Sequence, residues 1–249
     1  MITSLRINNV EHKVDLSKAI DISIPLRAGV KNVNAWYVDP VSIEAVKTDQ
    51  FTGSVKLGGS VNFRNIKFNP HGNGTHTECV GHISVEDYSV NQCLTQFFFL
   101  AQLITIDPEI MENGDAVISL NHVQSIGIKP GVEAYILRTL PNPIEKKEMQ
   151  YSNTNPPYIT KEAMKYLVDS GIKHFLIDLP SVDREMDEGE LAAHHVFWNY
   201  PDNPALDRTI TELIYVPENV SDGQYLLNLQ IASFENDASP SKPVLYRFL

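Results

Sequence analysis

The feature that most constrains this chain is a twelve-residue stretch in which three histidines and one glutamate lie close together. The stretch reads His71-Gly72-Asn73-Gly74-Thr75-His76-Thr77-Glu78-Cys79-Val80-Gly81-His82. Imidazole and carboxylate groups bind zinc and manganese through nitrogen and oxygen. Glycines let the backbone turn so that short side chains can converge on one point. We therefore hypothesise a metal site, for which the rest of the chain has to supply further ligands, a pocket and a proton carrier.

Spacing within this stretch gives the hypothesis a geometry. On an extended segment, residues i, i+2 and i+6 point to the same side. His76, Glu78 and His82 would therefore face one site if the segment stays extended throughout. Two imidazoles and a carboxylate hold a divalent ion and leave positions open for water, whose pKa the ion lowers to about 7. On spacing alone, a glycine-rich turn without function is an equal alternative.

Composition excludes some classes of protein. The formal net charge of −11 argues against a nucleic-acid-binding protein, because phosphates would be repelled. The most apolar window, residues 96–106, is too short to span a bilayer. No basic region followed by an apolar run opens the chain, so we expect a cytoplasmic protein. The two cysteines, Cys79 and Cys93, are too few for a disulfide framework. We interpret Cys79 as a buried thiol and not as a soft metal ligand.

The pattern of apolar residues predicts more strands than helices. A helix should begin after Thr160 and end at Gly171, and a second should cover residues 188–198. An irregular segment is expected at residues 27–60, and a surface excursion is expected at residues 141–158. The alternation of apolar and polar residues predicts strands over residues 12–26, 61–69, 97–106, 134–138, 174–179, 209–216 and 224–232. We therefore predict one α/β domain over residues 1–249, with a mixed sheet and flanking helices.

Six motifs, in chain order, resemble those of the cyclase family of metal-dependent hydrolases, which includes arylformamidases and isatin hydrolases. The central motif is Gly-Thr-His-x-Glu-x-x-x-His at residues 74–82. The others are Asp-Ile-Ser-Ile-Pro-Leu at 21–26, Trp-Tyr-Val-Asp at 36–39, Leu-Pro-Ser-Val-Asp at 179–183, Ala-His-His at 193–195 with Glu-Leu at 212–213, and Asp-Ala-Ser-Pro at 237–240.

The resemblance implies a swivelling β/β/α fold and a metal-dependent amide hydrolase of the arylformamidase kind. Such an enzyme converts N-formyl-L-kynurenine and water to L-kynurenine and formate. His82 would be the catalytic acid and base, and Trp36 would line the substrate pocket. The metal ligands it implies are His76, Glu78, His194 and Glu212, with Glu78 able to bridge two ions.

Departures from the family pattern leave some of these roles open. The first family histidine aligns with Gly72, and His71 lies one residue too early, so that His71 becomes a ligand only if a one-residue bulge brings it back. His194 is preferred to His195 because it follows alanine as the family ligand does. Neighbours on a helix lie about 100° apart, so both are not expected to reach one ion.

The expected cofactor is one or two divalent ions, Zn²⁺ or Mn²⁺. The expected partners are a small-molecule amide and further copies of the chain in a dimer or tetramer, with no nucleic acid and no membrane. Two alternatives remain open. One is a hydrolase of another cyclic amide or lactone. The other is a non-catalytic protein that binds a metal or a small ligand, which Gly72, Glu78 and an insertion after His195 motivate.

Overall fold

A nine-stranded mixed sheet dominates the computed structural model, which describes all 249 residues. The strands are β1 (Ile2–Ile7), β2 (Val10–Asp15), β3 (Ile20–Asp21), β4 (Ser42–Ala45), β5 (Lys47–Thr48), β6 (Phe51–Thr52), β7 (Arg64–Lys67), β8 (His76–Glu78), β9 (Phe98–Ile106), β10 (Glu109–Ile110), β11 (Ala116–Ile118), β12 (Ala134–Thr139), β13 (Tyr158–Ile159), β14 (His174–Ile177), β15 (Thr209–Glu212), β16 (Gly223–Asn228), β17 (Ala238–Pro240) and β18 (Val244–Arg247). The helices are α1 (Pro70–Asn73), α2 (Val90–Cys93), α3 (Leu120–Ile126), α4 (Lys161–Asp169) and α5 (Ala192–Trp198), with 3-10 turns at Val55–Leu57, Val80–His82 and Ile144–Glu148.

The large sheet has the strand order β17-β8-β15-β14-β12-β9-β16-β18-β3. Its centre, β9, β12, β14 and β15, is parallel, whereas the strands on both sides pair antiparallel. The predicted α/β fold with a mixed sheet is therefore confirmed. The smaller sheets are β10-β11-β13 and the pairs β1-β2, β4-β7 and β5-β6.

The central strands are apolar on both faces because a core lies on each side of the sheet. Along β12, Tyr135 and Leu137 face the core beneath the helices, whereas Ala134 and Ile136 face the core enclosed by the curled sheet. Parallel strands buried on both faces read as continuous apolar runs, as β12 does. Each fully buried leucine or isoleucine contributes roughly 1.5–3 kcal/mol to folding.

Helix α4 follows the prediction closely. The Thr160 hydroxyl accepts a hydrogen bond from the Ala163 amide at 3.3 Å, which caps the first turn. Ala163, Met164 and Leu167 form its buried face. The chain leaves the helix at Gly171, whose φ of +90° suits glycine.

Three predicted elements are shorter than the apolar pattern indicated, and local backbone geometry explains each. The strand over 12–26 is broken, because the Asp15 side chain bonds the amide and hydroxyl of Ser17 and turns the chain. Leu191 has a φ of 43°, so the helix predicted over 188–198 begins only at Ala192. Leu213 has a φ of 54°, which ends the strand predicted over 209–216 at Glu212.

The remaining predictions need smaller corrections. The predicted strands at 174–179 and 224–232 end at Ile177 and Asn228. The strand predicted at 61–69 is the exposed β7, which pairs with β4 in the segment predicted to be irregular. The excursion 141–158 is not all at the surface, because buried Lys146 places its Nζ 2.8 Å from Asp178 Oδ2.

Candidate metal centre

His71 lies on α1, a single helical turn whose start is fixed by capping. The Asn69 side chain accepts a hydrogen bond from the Gly72 amide at 3.2 Å. Pro70 occupies the first helical position, where a missing N–H leaves no hydrogen bond unmade. The turn therefore precedes β8 and places His71 beside Glu78 of that strand.

His76 and Glu78 lie on β8, on one face of the strand, as their spacing predicted. Strand β15 pairs antiparallel with β8 and places Glu212 directly opposite His76. Helix α5 adds His194. Segments that are more than a hundred residues apart in the chain thus meet at one point of the sheet.

The five predicted ligands converge around Glu78. One of its oxygens, Oε2, lies 3.1 Å from His71 Nδ1, and the other, Oε1, lies 3.3 Å from His194 Nε2. His76 Nε2 lies 3.4 Å from Glu212 Oε2. Glu78 therefore stands between one group of ligand atoms on the α1 side and a second on the α5 side.

Several of these atoms are buried without a hydrogen-bond partner: His76 Nε2, His194 Nε2 and both Glu78 oxygens. Buried polar groups in this condition cost free energy unless something binds them. Nitrogen and oxygen donors within 4.8 Å of one another, as in the groups His71/His76/Glu78 and Glu78/His82/His194, suit a divalent ion. The donor set and its unpaired atoms therefore fit a metal.

The rings of His76 and His194 are turned by hydrogen bonds at their other nitrogens. His76 Nδ1 donates to the Gly74 carbonyl at 3.0 Å, and His194 Nδ1 lies 2.6 Å from Asp183 Oδ2. Such partners orient an imidazole and leave Nε2 free for a metal. Asp183 falls within a motif noted in the sequence, although its role was not predicted.

Electrostatics at the cluster favour positive charge. Burial alone would lower the pKa of His194, but the neighbouring carboxylates of Asp183 and Glu78 raise it to about 10. The pKa of His71 is likewise raised to about 10, because Asp237 and Glu78 outweigh burial. Burial opposes ionisation of Glu78, yet the neighbouring histidines hold its pKa well below its usual range. The carboxylates thus keep cations at this point, whether protons or a divalent ion.

His71 lies at the cluster although it is one residue earlier than the family histidine. A Cβ at residue 72 would lie 2.5 Å from Val38 Cγ2 and 2.8 Å from the Ala35 carbonyl oxygen. Position 72 therefore packs against the segment that carries Trp36 and has no room for a side chain. The helical turn of α1 brings His71 to the cluster one residue earlier.

His82 reaches the cluster by a route that differs from the predicted one. The segment does not stay extended, because Val80–His82 forms a 3-10 turn. This turn places His82 Nδ1 3.3 Å from Asp237 Oδ2 and 3.7 Å from Glu78 Oε2. The His82 side chain is 30% exposed, against 0% for His76. Asp237, which also lies 2.9 Å from His71 Nε2, is a second residue whose role sequence reasoning missed.

A cavity of about 410 Å³ opens beside the cluster. Trp36 lines it, as predicted, and is half-buried with a φ of 58°. Its neighbour Tyr37 is 62% exposed and Phe63 is 58% exposed, and neither lines the cavity. The wall of the cavity also includes His71, His82, Ser181, Arg184, His194 and Glu212.

Two residues within the motifs, His195 and Cys79, are not among the side chains that converge on Glu78. His195 Nδ1 bonds the Tyr200 carbonyl at 3.0 Å on the far side of α5. Cys79 is buried, and its Sγ lies 3.5 Å from the Tyr88 carbonyl. The geometry therefore favours His194 over His195 and agrees with the interpretation of Cys79 as a buried thiol.

Comparison with known proteins places this arrangement in a family. The family model described as "Putative cyclase" matches residues 15–184. The chain belongs to the Cyclase family. A kynurenine formamidase of Bacillus cytotoxicus is 28% identical over 238 residues, which is 92% of this chain and 97% of that protein. A kynurenine formamidase of Bacillus anthracis gives the same values.

Solved structures agree with this cyclase fold. A potential metal-dependent hydrolase with cyclase activity superposes with a TM-score of 0.66 at 15% identity, covering 92% of this chain and 97% of its own. An isatin hydrolase bound to the product analogue thioisatinate superposes with a TM-score of 0.64 at 15% identity, covering 93% of each chain. No helix of this chain is long and apolar enough to cross a membrane.

Proposed function

We propose that the chain is a metal-dependent hydrolase of amides, and that its substrate is an aryl formamide such as N-formyl-L-kynurenine. The observation that carries the proposal is the set of unpaired nitrogen and oxygen atoms converging on Glu78 beside a cavity. The likeness to kynurenine formamidases over 92% of the chain supports the choice of bond and substrate.

Two metal positions share Glu78 in this proposal. With Glu78 shared, His71 and His76 would hold the first ion, and His194 and Glu212 would hold the second. Histidine and carboxylate ligands suit Zn²⁺ and Mn²⁺. A bound divalent ion supplies a Lewis acid that polarises a carbonyl and acidifies water.

The protein's own groups then perform the proton chemistry. His82 takes the proton of the attacking water and returns it to the leaving nitrogen as the C–N bond breaks. Asp237 orients the imidazole by its contact with Nδ1, at 3.3 Å. Trp36 contacts the aryl ring of the substrate, an aromatic contact that contributes on the order of 1 kcal/mol. The products are formate and an aryl amine.

Formate release from N-formyl-L-kynurenine tests this function. Protein stripped with a chelator should be inactive and should recover activity with Zn²⁺ or Mn²⁺. Glu78→Gln should lower both metal content and rate, because an amide cannot replace a carboxylate shared between two ions. Glu44→Gln, which removes an exposed carboxylate on β4, is the control. Metal-loaded wild-type protein that releases no formate would refute the formamidase proposal.

A cyclic amide is the second candidate substrate, favoured by the superposition on isatin hydrolase. Ring opening of isatin uses the same attack on a carbonyl carbon, but the leaving nitrogen stays attached to the product. Parallel assays of isatin and N-formyl-L-kynurenine distinguish the two. A protein that binds metal but opens neither amide would be the non-catalytic member of the family.

A further inference from the structure

The cavity wall contains one positively charged side chain besides its histidines, Arg184. It directly follows Asp183, which orients His194, so the same short segment supports the metal cluster and contributes Arg184 to the cavity wall. The proposed proton chemistry gives this side chain no task. A partly exposed arginine beside Glu185 and Asp187 on the cavity wall therefore requires an explanation.

Arg184 is held in place by the buried carboxylate of Asp115. Its Nη2 donates to Asp115 Oδ1 at 3.0 Å, and the Asp115 side chain is only 2% exposed. The same carboxylate also accepts hydrogen bonds from Asn155 and Tyr158, so the anchor is itself fixed. Arg184 is therefore positioned before any ligand arrives.

The guanidinium keeps donors free for a ligand. Of its five N–H groups, one is used by Asp115 and one by the Met186 carbonyl at 3.3 Å. Nε also lacks an acceptor in the protein, but it is buried, so the donors left for a ligand are the remaining N–H groups of Nη1 and Nη2. The Arg184 side chain is 41% exposed. Planar guanidinium groups with free donors bind carboxylates by charge-assisted hydrogen bonds.

Two carboxylates stand beside Arg184 on the same wall. Glu185 accepts hydrogen bonds from the amides of Asn153 and Asn155, at 2.6 and 3.0 Å. Asp187 accepts from the amide of Leu191 at 2.8 Å. A simple anion would meet these carboxylates as well as the guanidinium. A ligand with a carboxylate and an ammonium matches both signs of charge.

We infer that Arg184 binds the α-carboxylate of a substrate that carries an α-amino acid group. The α-ammonium of the same group is directed to Glu185 and Asp187. The inference rests on the proposed function and deepens it. Substrates would then be aryl formamides that carry an α-amino acid, in preference to formamides that lack one. Arg184 is a specificity residue in this inference and takes no part in breaking the bond.

Two substrates that differ only in the carboxylate test the inference: N-formyl-L-kynurenine and its decarboxylated analogue N-formylkynuramine. For wild-type protein, kcat/KM should be about 10- to 100-fold higher for the acid, the range expected for a hydrogen-bonded ion pair. In Arg184→Gln this ratio should fall towards one, mainly through KM. The ratio for Arg184→Lys should lie between those of wild type and Arg184→Gln, because an ammonium keeps the positive charge but cannot form the two parallel hydrogen bonds of a guanidinium. An unchanged ratio in Arg184→Gln overturns the inference.

Arg27→Gln is the matched control. Arg27 is also partly exposed and lies 3.4 Å from a carboxylate of Glu148, but it does not line the cavity. Its substitution should leave the substrate ratio at the wild-type value. Thermal melting of each variant checks that Arg184→Gln folds despite the loss of the Asp115 contact.

Binding of the products separates this inference from the proposed function. By calorimetry on the metal-loaded protein, L-kynurenine should bind more tightly than kynuramine to wild type and with no such preference to Arg184→Gln. If wild-type protein releases no formate but still binds L-kynurenine more tightly than kynuramine, the formamidase function is refuted and the carboxylate site is retained. Formate release with equal affinities for the two products refutes the carboxylate site alone.

Discussion

His82 has the most exposed side chain of the four histidines in the cluster. It lies on a 3-10 turn at the cavity wall, and its side chain is 30% exposed. The ligand candidate His76 is fully buried on β8. A proton carrier has to reach the substrate, whereas a metal ligand has to stay fixed.

Replacing His82 with alanine should therefore lower kcat by roughly 10²- to 10⁴-fold, the usual contribution of general acid–base catalysis. Metal content should change little, because the other ligand candidates remain. Steady-state rates and elemental analysis check the two halves of this prediction. His195→Ala is the control, since its Nδ1 bonds the Tyr200 carbonyl away from the cluster. A His82→Ala protein with wild-type turnover would contradict the role given to His82.

At the residue scale, the sequence predicted which side chains meet but not how they are supported. His76, Glu78, His194 and Glu212 could be named from motifs. Asp237 was noted within the motif at 237–240 but without a role, because its contacts with His71 and His82 join segments 166 and 155 residues apart. Such long-range packing leaves no local periodicity from which to read it.

Helix α1 shows how one element can correct the register of a site. Its single turn moves residue 71 to the cluster and packs residue 72 against Val38 and the Ala35 carbonyl. An alanine at residue 72 would need the 35–38 segment to move away. That segment also carries Trp36, so the cavity wall would move with it.

Gly72→Ala should accordingly destabilise the fold by about 1–3 kcal/mol, as overpacking of a tight contact does. Denaturant unfolding measures the loss. In the double variant with Val38→Ala, part of the stability should return, because the 2.5 Å contact is with a Val38 methyl group and only the backbone contact remains. Additive losses in the double variant would show that the contact is not the cause.

Element ends were harder to predict than elements. The apolar runs at β9, β12 and α4 were recognised because their periodicity is strong. Leu191 and Leu213 adopt positive φ values, which leucine rarely does. Their residue type therefore did not predict that the helix would begin, or the strand end, at these positions. Both breaks adjoin ligand-bearing elements, where the site overrides local preference.

Across the whole molecule, the parallel centre of the sheet buries a histidine that the site does not use. His174 on β14 is 5% exposed, and its ring lies tilted against that of Phe99, with 3.9 Å between ring centroids. Its Nδ1 lies 2.9 Å from Thr209 Oγ1. Burial lowers the pKa of His174 to about 4. It is therefore neutral in the folded protein at pH values where the unfolded chain takes up a proton.

Since the unfolded chain binds more protons between about pH 4 and pH 6.5, His174 should make stability rise with pH across that range. The slope should approach 1.4 kcal/mol per pH unit. Unfolding free energies of wild type and His174→Gln, measured from pH 4 to 7, isolate this contribution from that of the cluster histidines. Parallel curves for the two proteins would show that His174 does not titrate as its burial requires.

Asp183 ties the candidate centre to the folding of α5. Its carboxylate accepts hydrogen bonds from the amides of Ala193 and His194, at 2.8 and 3.1 Å, as well as lying against the His194 ring. The first turn of the helix and the aim of the imidazole are thus set by the same two oxygens. A local opening that frays this turn also releases the ligand, so amide hydrogen exchange at residues 193 and 194 should slow when the ion binds. The centre gains its ion and loses its local fluctuations in a single step.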